Sequence, residues 1–341
     1  MEKNKKLFII SNEKVYSDKN QFYCDNIDMK SIPENLNKNF DSTLILRKTK
    51  FERSHQINIS KIKLSSNFFS FLFNVYKSLK ENNANYLIVS ITPYTFFAYL
   101  LLFVFRKKIY VYLRSNGYEE YKKILGLIGP LIYHIMYLVV TFDCKLITCQ
   151  KRLSKKKSDL VFPSELDHAW LDNTKLPNLD NPKLLYVGRI KIEKGIFSLI
   201  NIFKKTSENY VLSIVGVGKK EDINLDSKNI KYLGSGYKPE ELIKIYDDHN
   251  ILILPSYTEA HPKVVDESLA RLRPVIIFED ISHIIQNRNG IFIAKRNVES
   301  LSSKIEFIMT NYSSIQESMK KNKLPTKNEF FSQINRILSL N

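Results

Sequence analysis

Apolar residues fall along this chain in short uninterrupted runs separated by stretches of helical spacing. In the first half, residues 7–10, a second run inside 41–50, then 86–91, 109–113 and 145–149 read as strands. A helix-like stretch at 68–80 and a longer apolar run at 96–105 lie between them, while the segment joining the first two strands is weakly patterned. The second half is cleaner, with strands at 183–187, 211–215, 230–233, 251–254, 275–278 and 290–294 and helices expected over 196–205 and 239–247. Apolar runs this short and continuous suit parallel strands covered on both faces. Strand and helix alternating at this pace predict an α/β fold with parallel sheets.

One stretch organises the second half. The strands at 251–254 and 275–278 bracket a polar segment that holds Glu259, His261 and Glu267. Pro262 suits a first helical position, and Val264, Val265, Ser268, Leu269 and Leu272 recur at helical spacing, giving that helix a side for the sheet. Ligands of open α/β sheets bind beyond the carboxyl ends of strands, so the turn 256–261 is the natural site.

Other strand ends point the same way. Residues 183–187 run into Gly188-Arg189, with Lys194-Gly195 just beyond; 211–215 end at Gly216-Val217-Gly218 and 230–233 at Gly234-Ser235-Gly236. Taken singly, Arg189 and Lys194 fit a solvated basic turn, the glycines a tight turn, and the two glutamates a surface. Together they place cations, glycine turns and a carboxylate-bearing loop on one rim. A nucleoside diphosphate requires that combination: cations and a helix N-terminus neutralise phosphate, and a carboxylate accepts from ribose or sugar hydroxyls.

Length and composition set the frame. With 341 residues and 44% hydrophobic content, the chain can build two α/β domains. The proline- and asparagine-rich segment 163–182 reads as their connection. The expected division is 1–170, 171–325 and a terminal helix over 326–341 that packs back on the first domain. Cys24, Cys144 and Cys149 have no metal-ligand spacing and cannot all pair, which fits a reducing cytoplasm. Residues 7–10 are too short for the apolar core of a leader.

The net charge of +17 is uneven: 28 Lys and Arg against 16 Asp and Glu over 1–175, a surplus of 12, and 24 against 19 beyond, a surplus of 5. That bias favours anionic partners, although a Lys-, Asn- and Ile-rich composition also follows from an AT-rich genome. Residues 124–140 form the least polar stretch, interrupted by Gly126, Gly129, Pro130 and His134. Three readings stay open for it: a helix buried in the domain, a helix in a membrane interface flanked by Lys122, Lys123 and the basic run 151–157, or a true span.

Several pieces carry a family resemblance: YVGRIKIEKG with its following helix, IVGVG, LGSG with the PEEL helix, and LPSYTEAHPKVVDESLARLRPVI, in which seven residues separate Glu259 from Glu267. Over about 183–310 the chain resembles the carboxyl-terminal domain of the retaining family-4 glycosyltransferases, whose GT-B architecture has two Rossmann-like domains with parallel sheets facing across a cleft. The resemblance implies that Arg189 and Lys194 hold the donor diphosphate, that Glu259 contacts the transferred sugar and that Glu267 contacts the ribose. Gly188, Gly216, Gly218, Leu233 and Gly234 would line the donor site. Relatives commonly place Gly-Phe-Gly after the first glutamate; here Ala260-His261-Pro262 stands instead, so His261 and Lys263 become the replacement donors.

The first-domain strand that carries a histidine in relatives is followed here by Arg114-Ser115-Asn116-Gly117-Tyr118-Glu119. Arg114, Ser115, Asn116 and Glu119 are expected to line the acceptor side, with a structural turn as the alternative. The resemblance further implies a nucleotide sugar as co-substrate, no cofactor and no metal, a glycan or lipid-linked acceptor, and a role in surface polysaccharide or lipopolysaccharide synthesis, in the cytoplasm or on the inner face of the cell membrane. Retention would need no protein nucleophile; an inverting reaction would make Glu119 or His261 the suspected base. A nucleotide-sugar epimerase of this fold, a sugar-binding relative without catalysis and a basic anion- or nucleic-acid-binding protein are the competing readings. Scattered charge and the lack of an aromatic-basic RNA motif argue against nucleic acid.

Overall fold

A computed structural model describes residues 5–206, 209–218 and 228–340. The chain divides into two compact units, 1–162 with 328–341, and 163–327.

In the first unit, the strand Lys6–Asp18 is central and pairs in parallel with Asp41–Thr49 on one side and Ala84–Val89 on the other. Ile62–Ser65 extends one flank, while Lys108–Leu113, Lys145–Thr148 and Asp159–Leu160 extend the other, all parallel. The expectation of a wholly parallel sheet fails at one corner. After a register shift between Ile10 and Lys14, the outer half of the first strand pairs antiparallel with Gln21–Cys24, which pairs antiparallel with His55–Ile57. That outer half is polar, and it runs where the buried parallel layer ends.

Local chemistry sets the helices. Asn67 with Ser70, and Thr92 with Thr95, form capping boxes at Phe68–Ser78 and Pro93–Val104. The stretch 117–140 folds as Gly117–Leu125, a single 3-10 turn at Gly126–Ile128, and Gly129–Val140. It is long and apolar enough to cross a membrane by length and composition alone. The chain nevertheless turns back on itself at Gly126, whose φ of +66° favours glycine. Gly117 lies directly under the Tyr133 ring and Gly129 against the Tyr121 carbonyl, so the two helices pack face to face. The helix Lys327–Ser339 buries Phe330, Phe331, Ile334 and Ile337, and the Leu338 carbonyl accepts from Asn85 Nδ2 at 2.9 Å.

Among the described residues, the second unit holds six parallel strands in the spatial order Ile230–Gly234, Val211–Val215, Lys183–Val187, Ile251–Leu254, Val275–Phe278, Ile291–Ala294. Numbered along the chain this is 3-2-1-4-5-6, the doubly wound order whose reversal falls between the first and fourth strands. Trp170 is buried in this unit's core with its ring 5.6 Å from Tyr246. Two buried arginines fasten the preceding segment. Arg271 makes a two-pronged pair with Asp247 at 2.8 Å and donates to the carbonyls of Trp170, Asp172 and Asn173. Arg273 donates to His249, Arg271, Asp247 and Lys175 carbonyls.

Two local expectations are corrected in this region. The helix spans Lys263–Ala270, so Pro262 precedes it instead of opening it. Leu272 lies past its end at φ +55°, because the Ser268 carbonyl already accepts the Arg273 amide at 2.9 Å and closes the helix.

Candidate functional site in the second unit

The turns after the first and fourth strands meet where the strand order reverses. Lys194 Nζ lies 2.6 Å from Glu259 Oε1, and the same oxygen accepts from Ser256 Oγ at 2.7 Å. The two side chains come from opposite sides of the switch point. Gly195 permits the approach: at φ +68°, a Cβ there would stand 1.9 Å from the Pro255 carbonyl oxygen. The Tyr257 amide donates to the Glu193 carbonyl, stitching the loops together. Among the described residues, no side chain caps the helix Ile196–Phe203, whose N-cap is Gly195. Arg189 is exposed just after the first strand, and the Tyr186 hydroxyl donates to its carbonyl at 2.8 Å.

Two residues outside the sequence expectation hold the Glu259 loop. Arg296 Nη2 donates to the carbonyls of Pro255 and Ser256 at 2.8 and 3.2 Å, and its Nε donates to Asp280 at 2.9 Å. Its guanidinium stacks 4.0 Å from the Tyr257 ring centroid and 4.6 Å from that of Phe278. One ring nitrogen of His283 lies 2.9 Å from the Glu259 carbonyl oxygen. A signal for Arg296 was available: it follows the last strand, and cations at strand ends were the pattern already noted for Arg189.

Glu267 is buried, with the Tyr246 hydroxyl donating to its Oε2 at 2.9 Å. Burial pushes its carboxyl up to about 7, while Tyr246 and the Lys263 charge pull it back. A carboxyl raised above its unfolded value of 4.5 favours the protonated folded state. The stability it contributes is therefore complete below about pH 4.5 and is lost as pH rises through about 7, a swing of about 3 kcal/mol. Urea unfolding followed by Trp170 fluorescence should show that loss between acid and mildly alkaline pH in the native chain, and Glu267→Gln should remove it. An identical pH profile in both proteins would refute the assignment.

The remaining expected donor residues sit as follows. Lys263 Nζ is engaged by Glu165 at 2.8 Å. His261 Nε2 lies 2.9 Å from Asp266 Oδ2 without hydrogen-bond alignment, and Arg288 pairs with the other oxygen of that carboxylate. Gly188 and Gly216 are in backbone contact, since a Cβ on Gly216 would lie 1.7 Å from the Gly188 oxygen. Gly218 packs on Ile190, and the Tyr232 hydroxyl donates to the Gly216 carbonyl at 2.9 Å. Leu233 is exposed, and the Gly234 carbonyl accepts from the Gly216 amide.

In the first unit, Arg114 Nη1 pairs with Asp28 at 2.7 Å. Asn116 caps the helix Gly117–Leu125 by accepting from the Tyr118 amide, and its Nδ2 donates to Glu119 Oε1 at 2.7 Å. Ser115 stands partly exposed between them. These contacts order the turn that the sequence placed there. Among the described residues, no group of three His, Cys, Asp or Glu stands in metal-binding array.

This architecture is the GT-B fold. Residues 171–324, a little under half of the chain, match the family described as Glycosyl transferases group 1. The capsular polysaccharide biosynthesis glycosyltransferase CapM of Staphylococcus aureus is 28% identical over 212 residues, which are 56% of each chain. The chain thus spans about half the length of the curated relatives it matches. Over nearly its full length it is similar in structure to WaaG, a glycosyltransferase involved in lipopolysaccharide biosynthesis, with TM-score 0.69 and 14% identity, covering 98% of this chain and 100% of that one. It is likewise similar to Anabaena HepE in complex with UDP-glucose, with TM-score 0.68 and 11% identity over 98% of each.

Proposed function

We propose that the protein is a metal-independent glycosyltransferase that moves a sugar from a nucleoside-diphosphate sugar to a glycan or lipid-linked acceptor, with retention, in the assembly of a surface polysaccharide or lipopolysaccharide. The observation that carries this reading is the Lys194–Glu259 pair at the switch point of the second sheet. It joins a cation suited to phosphate with a carboxylate suited to sugar hydroxyls, in the place where open α/β sheets bind ligands.

With the donor present, Lys194 exchanges Glu259 for the diphosphate and works with Arg189 on the charge that develops on the leaving group. Glu259, still held by Ser256, is released to accept from the sugar's hydroxyls, and Glu267 to accept from the ribose. The bond from the anomeric carbon to the phosphate oxygen breaks as the acceptor oxygen bonds to that carbon on the same face. The acceptor's proton leaves to the departing phosphate oxygen, so positioning and electrostatics carry the step and no protein nucleophile is used. The names of CapM, WaaG and HepE support this class of substrate and product.

The test is a panel of UDP-, GDP- and ADP-sugars, assayed for donor hydrolysis in the presence of a chelator, with calorimetric binding of the matching nucleoside diphosphates. One nucleotide series should bind and turn over. Glu259→Gln should abolish turnover while leaving diphosphate affinity equal or higher, because it frees Lys194. Full turnover by that variant, or no binding of any nucleotide by the native chain, would overturn the proposal.

A further inference from the structure

The first unit leaves large apolar side chains in solvent along a continuous set of helices. Phe69 on Phe68–Ser78 is 80% exposed, Leu127 in the turn of the 117–140 hairpin is 89% exposed, and Phe142 just beyond it is 78% exposed. Ring contacts join the helices into one surface: Phe68 to Phe97 at 5.2 Å, Tyr76 to Phe105 at 6.2 Å and Phe103 to Phe142 at 6.3 Å. Only 28% of the most apolar window of the hairpin is buried, whereas a core helix would bury most of its length. Soluble monomers keep contiguous apolar patches to roughly 300–600 Å², and larger ones mark an interaction surface.

Basic residues predominate among the charges around this surface, with Glu120 and Asp143 the exposed acidic exceptions. Lys77 and Lys80 end the first helix, Arg106 and Lys107 follow the second, and Lys122 and Lys123 close the helix that leads into Leu127. No Asp or Glu occurs from residue 66 to 80 or from 91 to 118; Glu119 and Glu120 are the acidic residues of the hairpin, and Glu119 is bonded by Asn116. A further basic run is drawn to the same edge, where Lys156 Nζ donates to the Thr141 carbonyl at 2.7 Å and Ser154 bonds the Tyr137 hydroxyl at 2.7 Å.

A second copy docking through the same patch would set these cations against their own kind, since a two-fold contact pairs a surface with itself. An anionic bilayer instead offers acidic headgroups to the rim and hydrocarbon to the centre. We infer that this face seats the first unit on an anionic membrane surface, with the 117–140 hairpin lying in the interface and its cations on acidic headgroups. The turn at Gly126 folds the hairpin too short to span. This inference does not depend on the donor chemistry.

The test is flotation of the full chain with phosphatidylcholine vesicles, with and without phosphatidylglycerol, at low and high salt. Binding should require phosphatidylglycerol and weaken by about tenfold or more at high salt. Lys122→Glu with Lys123→Glu should weaken it by a similar factor, and Leu127→Asp with Leu131→Asp should abolish it. Because these side chains are exposed, circular dichroism should stay native. A fluorophore attached through Leu127→Cys should shift to the blue on the acidic vesicles alone. A native chain that stays in the aqueous fraction, with that fluorophore unmoved, overturns the inference. So does a dimer seen by light scattering that Leu127→Asp splits and vesicles do not compete for; that result assigns the face to self-association.

Discussion

Replacing Lys194 by alanine is expected to cut sugar transfer by about two to three orders of magnitude, the usual cost of removing one preorganised donor to a developing charge. Nucleoside diphosphate affinity should fall with it. Lys194 is mostly enclosed and answers to one carboxylate, so its charge lies in a site where water screens little. Arg189→Ala should also weaken binding, but with a steeper dependence on salt, because Arg189 is exposed. Titration calorimetry at two ionic strengths separates the two effects. Native-like diphosphate affinity in both variants would move the donor site away from this switch point.

The largest expected effect on stability belongs to Arg271. Its guanidinium is fully enclosed, spans both oxygens of buried Asp247 and serves three carbonyls of the segment around Trp170. Arg271→Ala leaves the buried Asp247 carboxylate with only Arg273 Nη2 at 4.0 Å and takes the donor from three carbonyls, and should cost about 3–5 kcal/mol. Urea unfolding followed through Trp170, which sits in the same core, measures this directly. A change under about 1 kcal/mol would mean that water replaces the arginine. Replacing Asp247 and Arg271 together by apolar residues of similar volume should recover part of the loss, because the cost of removing one partner comes chiefly from stranding the other.

The second unit was largely legible in the sequence because its strands are buried on both faces, and such strands read as unbroken apolar runs. The strands Lys183–Val187, Val211–Val215, Ile251–Leu254 and Val275–Phe278 stand where those runs predicted them. The first unit was legible only where its layer is equally buried. Gln21–Cys24 and His55–Ile57 are short, and pair with the polar outer half of the first strand, so no period announced them. Lys194 and Glu259 were each placed at a strand end, and the topology brought them together as an ion pair. His283 was missed because it acts on a backbone carbonyl of a loop distant in sequence, which leaves no local pattern; Arg296 acts in the same way, and only its place after the last strand marked it.

Arg271 and Arg273 were passed over for a related reason. Arginines next to a helix end read as solvated, and what buries these two is a run of carbonyls about a hundred residues earlier in the chain. That arrangement governs how the second unit can be cut free for separate study. A fragment beginning at Pro163 carries every carbonyl the two arginines use, together with the only tryptophan. One beginning at Leu176, inside the apparent linker, would retain the six described strands yet lose four carbonyls that the two arginines use. Excision within that proline- and asparagine-rich segment thus removes structural material that its composition disguises as a tether.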